Sequence, residues 1–120
     1  MGQYHLVVNF DKREFLDPHK FGDGLKAMEF GCSAMGTMTA LAFLLAGDCD
    51  GSGGDFQPGS FLLGWWSGDK IAIVGDYGDG TYAECREGKD WRDVSKETKE
   101  AMSVSDAYLA SEMRGGCGDA

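Results

Sequence analysis

The segment that most constrains the fold is GTMTALAFLLA, residues 36–46, since no other stretch of the chain is as long and as free of charge. If residues 37–46 are helical, one stripe at i, i+3, i+4 and i+7 contains Met38, Leu41, Ala42 and Leu45. Phe43 and Leu44 cover its flanks. A helix that is apolar all round must be covered on more than one side, by protein or by a bilayer.

Length separates these two cases. Spanning a bilayer takes about 20 apolar residues, whereas the uncharged run here, residues 30–47, contains several Gly, Ser and Thr and is bounded by Glu29 and Asp48. We therefore expect a buried core helix and no membrane association. Thr37 is the predicted N-cap, and Gly47 is the predicted left-handed residue after the C-terminus.

Alternation of apolar and polar residues predicts two groups of strands around this helix. Residues 3–10 predict a half-buried strand, and residues 14–16 return as its hairpin partner, ending at Asp17-Pro18. A meander is expected over residues 61–66, 70–74 and 81–86, with a Gly-Asp-Gly turn at 78–80. The sequence predicts one α+β domain over residues 1–120, with a mostly antiparallel sheet packed on the buried central helix.

Shorter segments complete this prediction. Residues 25–30 fit a helical turn or a strand, and the pattern leaves both open. Tail helices are expected over residues 94–102 and 104–113, the second with a capping-box pattern at Ser103 and Asp106.

The charge balance limits the classes of partner. The chain has 20 acidic and 11 basic residues, a formal charge of -9, which disfavours direct binding to nucleic acid. A basic partner protein suits this charge better, although solubility alone also accounts for it. The first residues lack the pattern of a secretory signal, so we expect a cytoplasmic protein. The cysteines, widely spaced, are expected to be free thiols: Cys32, Cys49, Cys85 and Cys117.

A glycine-rich acidic loop is the first candidate site. Asp48, Asp50 and Asp55 place carboxylates on flexible backbone, as Ca²⁺ or Mg²⁺ requires. An EF-hand loop that begins at Asp48 would need a glutamate at its twelfth position, where this chain has Gly59. The loop is thus a partial match to a cation site, and the alternative is a solvated loop.

A second candidate combines a histidine with carboxylates and a thiol. His19 precedes Asp23, Glu29 and Cys32, which are residue types used in acid-base or nucleophilic catalysis. Spacing alone does not bring these residues together, so His19 as an ordinary loop residue is the competing interpretation.

The adjacent tryptophans are the third candidate. In a strand, Trp65 and Trp66 would point to opposite faces, so one indole would enter the core and the other would face outward. Tryptophan is enriched at binding hot spots. We therefore assign Trp65 and Trp66, with Asp69 and Asp76, to a binding surface; cover by the tail, through Trp91 or Tyr108, is the alternative.

Several short motifs also resemble a set of short uncharacterised proteins encoded in bacterial and bacteriophage genomes. The motifs, which span most of the chain, are GQY at 2–4, VNxDKxE at 8–14, PHKFGDGxK at 18–26, EFG at 29–31, GTMTAL at 36–41 and GDxIxIxGDY at 68–77. The resemblance implies a small cytoplasmic protein of bacterial or phage origin, a class in which host-directed binding proteins are common. It implies no activity, cofactor or catalytic residue.

The leading hypothesis is a non-catalytic protein that binds another macromolecule, most simply a protein, through its acidic surface and exposed aromatic edge. The competing hypothesis is a metal-assisted enzyme, or a small-ligand-binding protein. There, Asp48, Asp50 and Asp55 would hold Ca²⁺ or Mg²⁺, and His19 would act as the acid-base group of an enzyme acting on a small or phosphorylated ligand.

Overall fold

A computed structural model describes residues 3–32, 35–49, 51–53, 55, 56 and 58–104. These residues form a 3-10 helix (Pro18–Phe21), four strands and four α-helices: β1 (His5–Asn9), β2 (Glu14–Leu16), β3 (Ile71–Gly75), β4 (Arg92–Asp93), α1 (Ala27–Gly31), α2 (Thr37–Leu45), α3 (Thr81–Glu87) and α4 (Ser95–Val104). The predicted α+β class is confirmed. None of the described helices has the length and apolar character needed to cross a bilayer.

The four strands form one mixed sheet in the order β3-β1-β2-β4. β1 is antiparallel to both of its neighbours, which confirms the predicted N-terminal hairpin. The short β4 pairs with β2 in parallel, so the sheet is not purely antiparallel.

The central strand β1 is covered on both faces. Val7 packs with α2 in one core cluster, whereas Leu6 and Val8 pack with Cys85 and Trp91 in a second cluster on the other face. All three β1 residues have no exposed surface. The predicted strand is confirmed over His5–Asn9, but its expected half-burial is wrong, because elements far along the chain cover the face that the alternation left to solvent.

The central helix is confirmed as a buried core helix, with different ends from those predicted. The buried residues of α2 are Thr37, Ala40, Leu41, Phe43 and Leu44. They lie on a stripe that is rotated from the predicted one, since the predicted stripe included Ala42, which is exposed. Gly36, not Thr37, is the N-cap. The carboxylate of Asp23 instead accepts hydrogen bonds from the Thr37 N–H and Oγ1, at 2.8 and 2.7 Å.

The C-terminus of α2 ends without a left-handed glycine. Ala46 is the C-cap in extended conformation, and Gly47 is not among the residues with positive φ. The carbonyl oxygens of Phe43 and Leu44 accept hydrogen bonds from the backbone of residues 64 and 66. Tertiary hydrogen bonds thus satisfy carbonyl groups that a left-handed cap would otherwise satisfy.

Only the middle strand of the predicted meander forms. Residues 61–69 are a run of turns, with Gly64 at φ 76° and Gly68 at φ 82°, values that a strand does not allow. Residues 81–87 form α3 rather than a strand, because the Asp79 carboxylate accepts bonds from the Thr81 N–H and Oγ1 and starts a helix. The Gly-Asp-Gly signal therefore introduces a helix here.

Two smaller predictions are also decided. Residues 25–30, for which the sequence left helix and strand undecided, contribute to helix α1. The first tail helix is confirmed as α4. The second tail helix and the Ser103–Asp106 capping box lie outside the described residues, apart from the backbone of residues 103 and 104.

Candidate protein-binding surface

The turns of residues 61–69 hold the two tryptophans against the end of α2. Backbone bonds of 3.0 and 2.9 Å run from the Gly64 N–H to the Phe43 carbonyl and from the Trp66 N–H to the Leu44 carbonyl. Trp66 is fully buried, while Trp65 remains 40% exposed. One indole inside and one outside is what we expected, but turns rather than a strand produce it.

A buried carboxylate joins the two indoles. Glu14 on β2 is only 6% exposed, and its Oε1 accepts hydrogen bonds from Trp65 Nε1 at 3.0 Å and Trp66 Nε1 at 2.8 Å. Its second oxygen lies 3.9 Å from the Arg92 guanidinium. The exposed indole is thereby held to the core by a charge-assisted hydrogen bond.

An aromatic ring and an ammonium group lie beside the exposed part of Trp65. Phe61, 77% exposed, packs edge-on against Trp65 with ring centroids 5.9 Å apart. The Lys12 ammonium lies 4.8 Å from the centroid of the Trp65 ring. We call Phe61, Trp65 and Lys12 the aromatic surface.

Asp69 contacts the aromatic surface through Lys12, whereas Asp76 lies away from it. The Asp69 carboxylate forms a salt bridge with Lys12 and accepts a 2.9 Å hydrogen bond from the Asn9 amide. The hydrogen bond from Lys12, which has the larger effect, and the one from Asn9 both lower the pKa of Asp69 below its ordinary value. Asp76 lies at the far end of β3, where its carboxylate accepts a bond from the Tyr4 N–H, so the length of the strand separates the two predicted residues.

The acidic loop shows no assembled cation site in the part that is described. Asp48 is exposed and Asp55 is half-buried, while Asp50 lies outside the described residues. Across the described ranges, no group of three or more His, Cys, Asp or Glu side chains is arranged to hold a metal ion. Binding of Ca²⁺ or Mg²⁺ stays a prediction.

The carboxylates near His19 cap helices. Asp23 bonds to the first residue of α2, and Glu29 accepts a 3.0 Å hydrogen bond from the Lys26 N–H at the start of α1. His19 and Cys32 are both exposed. Asp23 and Glu29 therefore have a structural role at the starts of α2 and α1, which accounts for them without catalysis. A catalytic role for His19 stays a prediction.

A cavity of about 340 Å³ lies between β2, the 3-10 helix, α3 and β4, and no sequence motif predicted it. Its charges are paired within the protein, Arg86 with Asp17 at 2.9 Å and Lys20 with Asp93. Burial, followed by the nearby Glu84 carboxylate, raises the pKa of the Cys85 thiol to about 12. This thiol is therefore a poor nucleophile at neutral pH.

The sequence named Trp65 and Asp69 as binding candidates but not Glu14 and Phe61, which both contact Trp65. A binding role for these residues stays a prediction. The one available signal for Glu14 was an acidic residue in a predicted strand of a hairpin with apolar neighbours.

Comparisons with protein-family models, curated proteins and solved structures found no match to this chain.

Proposed function

We propose that this chain is a non-catalytic binding protein that engages another protein through the aromatic surface. The observation that carries the proposal is the hydrogen bond from the exposed Trp65 indole to the buried Glu14 carboxylate. Holding a large aromatic side chain in place before binding lowers the entropy cost of forming an interface. A rigid, half-exposed tryptophan with a second aromatic ring beside it is typical of a binding hot spot.

The chemistry of the surface suggests what the partner presents. The exposed Phe61 ring, beside the part-exposed Trp65 indole, suits an apolar or arginine side chain, since guanidinium groups stack on aromatic rings. The formal charge of -9 favours approach by a basic surface. We therefore propose a basic partner protein with a central apolar or arginine anchor. The resemblance to bacterial and phage proteins directs the search to the cytoplasm of a bacterial host.

Phe61→Ala is the sharpest test of this surface. The Phe61 side chain is 77% exposed, so its removal leaves the core intact, and Met28, 78% exposed on α1, offers a matched control. Partners captured from a host lysate by the wild type are purified and titrated with wild type, Phe61→Ala and Met28→Ala. Loss of a hot-spot aromatic costs about 2 kcal/mol, which weakens binding about 30-fold.

Two further variants separate binding from folding. Trp65→Ala should weaken binding at least as much as Phe61→Ala, with circular dichroism confirming that the variant is folded. Trp66→Ala is unsuitable, because Trp66 is fully buried and its loss opens a cavity in the core. Equal affinity of wild type, Phe61→Ala and Trp65→Ala for every purified partner would contradict the proposal.

A further inference from the structure

Strand β3 forms an open edge of the sheet. Within the described residues it pairs only with β1. Its sequence, IAIVG, contains no charge and no proline. Natural sheets usually protect such edges with charged residues, proline or bulges, because an unprotected edge pairs with another strand. This edge is therefore suited to strand addition.

The register shows which backbone groups face outward. The Phe10 N–H donates to the Lys70 carbonyl at 2.9 Å and the Asp76 N–H donates to the Tyr4 carbonyl at 3.0 Å, so even-numbered residues of this segment bond to β1. Ile71 and Ile73 consequently direct their N–H and C=O groups away from the sheet. Among the described residues, these outward groups have no hydrogen-bond partner. The Ile73 side chain is also 47% exposed.

We propose that β3 pairs antiparallel with β3 of a second copy of this chain, with Ile73 opposite Ile73. In that register Lys70 of each copy lies opposite Asp76 of the other, so an opposite-charge pair forms at both ends of the ladder. Because the outward-facing backbone groups belong to alternate residues, they can pair in another register only if the two strands shift by two residues. Such a shift places Lys70 opposite Val74 or Gly78, and the charge pairs are lost. Charge complementarity thus selects both the partner and the register.

Both charged side chains are available for this pairing. Lys70 is exposed, with its ammonium 5.5 Å from the centroid of the Phe10 ring. Asp76 is exposed and accepts one 3.3 Å hydrogen bond from the Tyr4 N–H. The formal charge of -9 on each copy opposes association. At physiological salt, where the Debye length is about 8 Å, this overall repulsion is screened more than the close pairs are. We expect a weak, reversible dimer.

Charge reversal tests the pairing directly by sedimentation equilibrium under reducing conditions. Lys70→Asp alone and Asp76→Lys alone place like charges at both ends of the ladder, and each should weaken the dimer at least tenfold. An equimolar mixture of the two variants should dimerise again, because every end pair then joins opposite charges. Lys89→Asp, which makes the same change of net charge at an exposed residue after α3, should leave the dimer unchanged.

A cross-link tests the register independently. In a variant with Cys32, Cys49 and Cys117 replaced by Ser, Ile73→Cys should form a disulfide dimer on mild oxidation. Facing residues in a hydrogen-bonded antiparallel pair have Cα atoms about 5.5 Å apart, within the range that a disulfide bridges. Ile71→Cys should not cross-link, because its counterpart would lie about 14 Å along the neighbouring strand.

Three results would overturn the proposal. They are a wild-type protein that stays monomeric up to millimolar concentration, a mixture of the charge variants that is no more dimeric than either alone, and equal cross-linking at positions 71 and 73. The edge does not include the aromatic surface, so Phe61→Ala should leave the dimer intact. Failure of the dimer therefore does not bear on the proposed binding function.

Discussion

Replacement of Glu14 by Gln tests whether one buried carboxylate holds both tryptophans. The substitution keeps the shape of the side chain and an acceptor oxygen for the two indole N–H groups, which lie 3.0 and 2.8 Å from the native Oε1. It removes the negative charge. A hydrogen bond to a charged group contributes about 1.5–3 kcal/mol and a neutral one about 0.5–1.5, so each bond loses about 1–1.5 kcal/mol and the two together lose roughly 2–3 kcal/mol.

Urea unfolding followed by tryptophan fluorescence measures this loss. We expect Glu14→Gln to lower the free energy of unfolding by roughly 2–3 kcal/mol. Glu14→Leu should cost more, because the fully buried Trp66 N–H then has no acceptor, whereas the N–H of the part-exposed Trp65 can bond to water.

Double-mutant cycles with Trp65→Phe and Trp66→Phe separate the two bonds, since the cavity that each Phe leaves cancels within its cycle. The coupling energy between Glu14 and Trp66 should reach about 1–2 kcal/mol and exceed that between Glu14 and Trp65. The reasoning is refuted if Glu14→Gln is as stable as the wild type, or if the coupling to the exposed indole is the larger one.

Four further predictions concern a glycine in the turns, thiol reactivity, the pH dependence of stability and cation binding. Gly64→Ala should destabilise the fold by several kcal/mol, to be measured by urea unfolding, because φ is 76° and a Cβ would lie 2.6 Å from a carbonyl oxygen at the end of α2; wild-type stability would contradict this. The Cys85 thiol, with a pKa raised to about 12, should resist alkylation at pH 8 in the folded protein while the exposed Cys32 reacts, and mass mapping that finds equal labelling would refute this. The lowered pKa of Asp69 adds stability that is complete above its unfolded pKa and is lost as pH falls through its folded pKa; the stability difference between wild type and Asp69→Asn should thus be constant above about pH 5 and shrink in acid. If the protein binds no cation, Ca²⁺ or Mg²⁺ should leave the melting temperature almost unchanged, whereas a rise of several degrees that Asp50→Ala abolishes would favour the metal-assisted hypothesis.

Local patterns were sufficient for the elements whose signal is complete within a few residues. The apolar stretch at residues 37–46 was too short for a bilayer and too apolar for a surface, which leaves the core, and α2 lies there. Alternation and the Asp17-Pro18 stop likewise predicted the β1–β2 hairpin. The same reasoning failed at residues 61–69 and 81–87, where glycine φ values and the hydrogen bonds from Thr81 to Asp79 override the apparent strand period.

The sequence by itself determined the class of the domain, the central helix, the N-terminal hairpin and the acidic charge. These depend only on chain length, composition and the spacing of apolar residues within short segments. Only the tertiary structure decided which tryptophan is buried, since Trp66 packs in the core with Phe43 and Leu44 of α2, more than 20 residues earlier in the chain. It also decided that β3 is an edge strand among the described strands, with the backbone N–H and C=O groups of Ile71 and Ile73 directed away from the sheet. Strand order and side-chain pairs between distant residues depend on how the whole chain packs, and no local period encodes them.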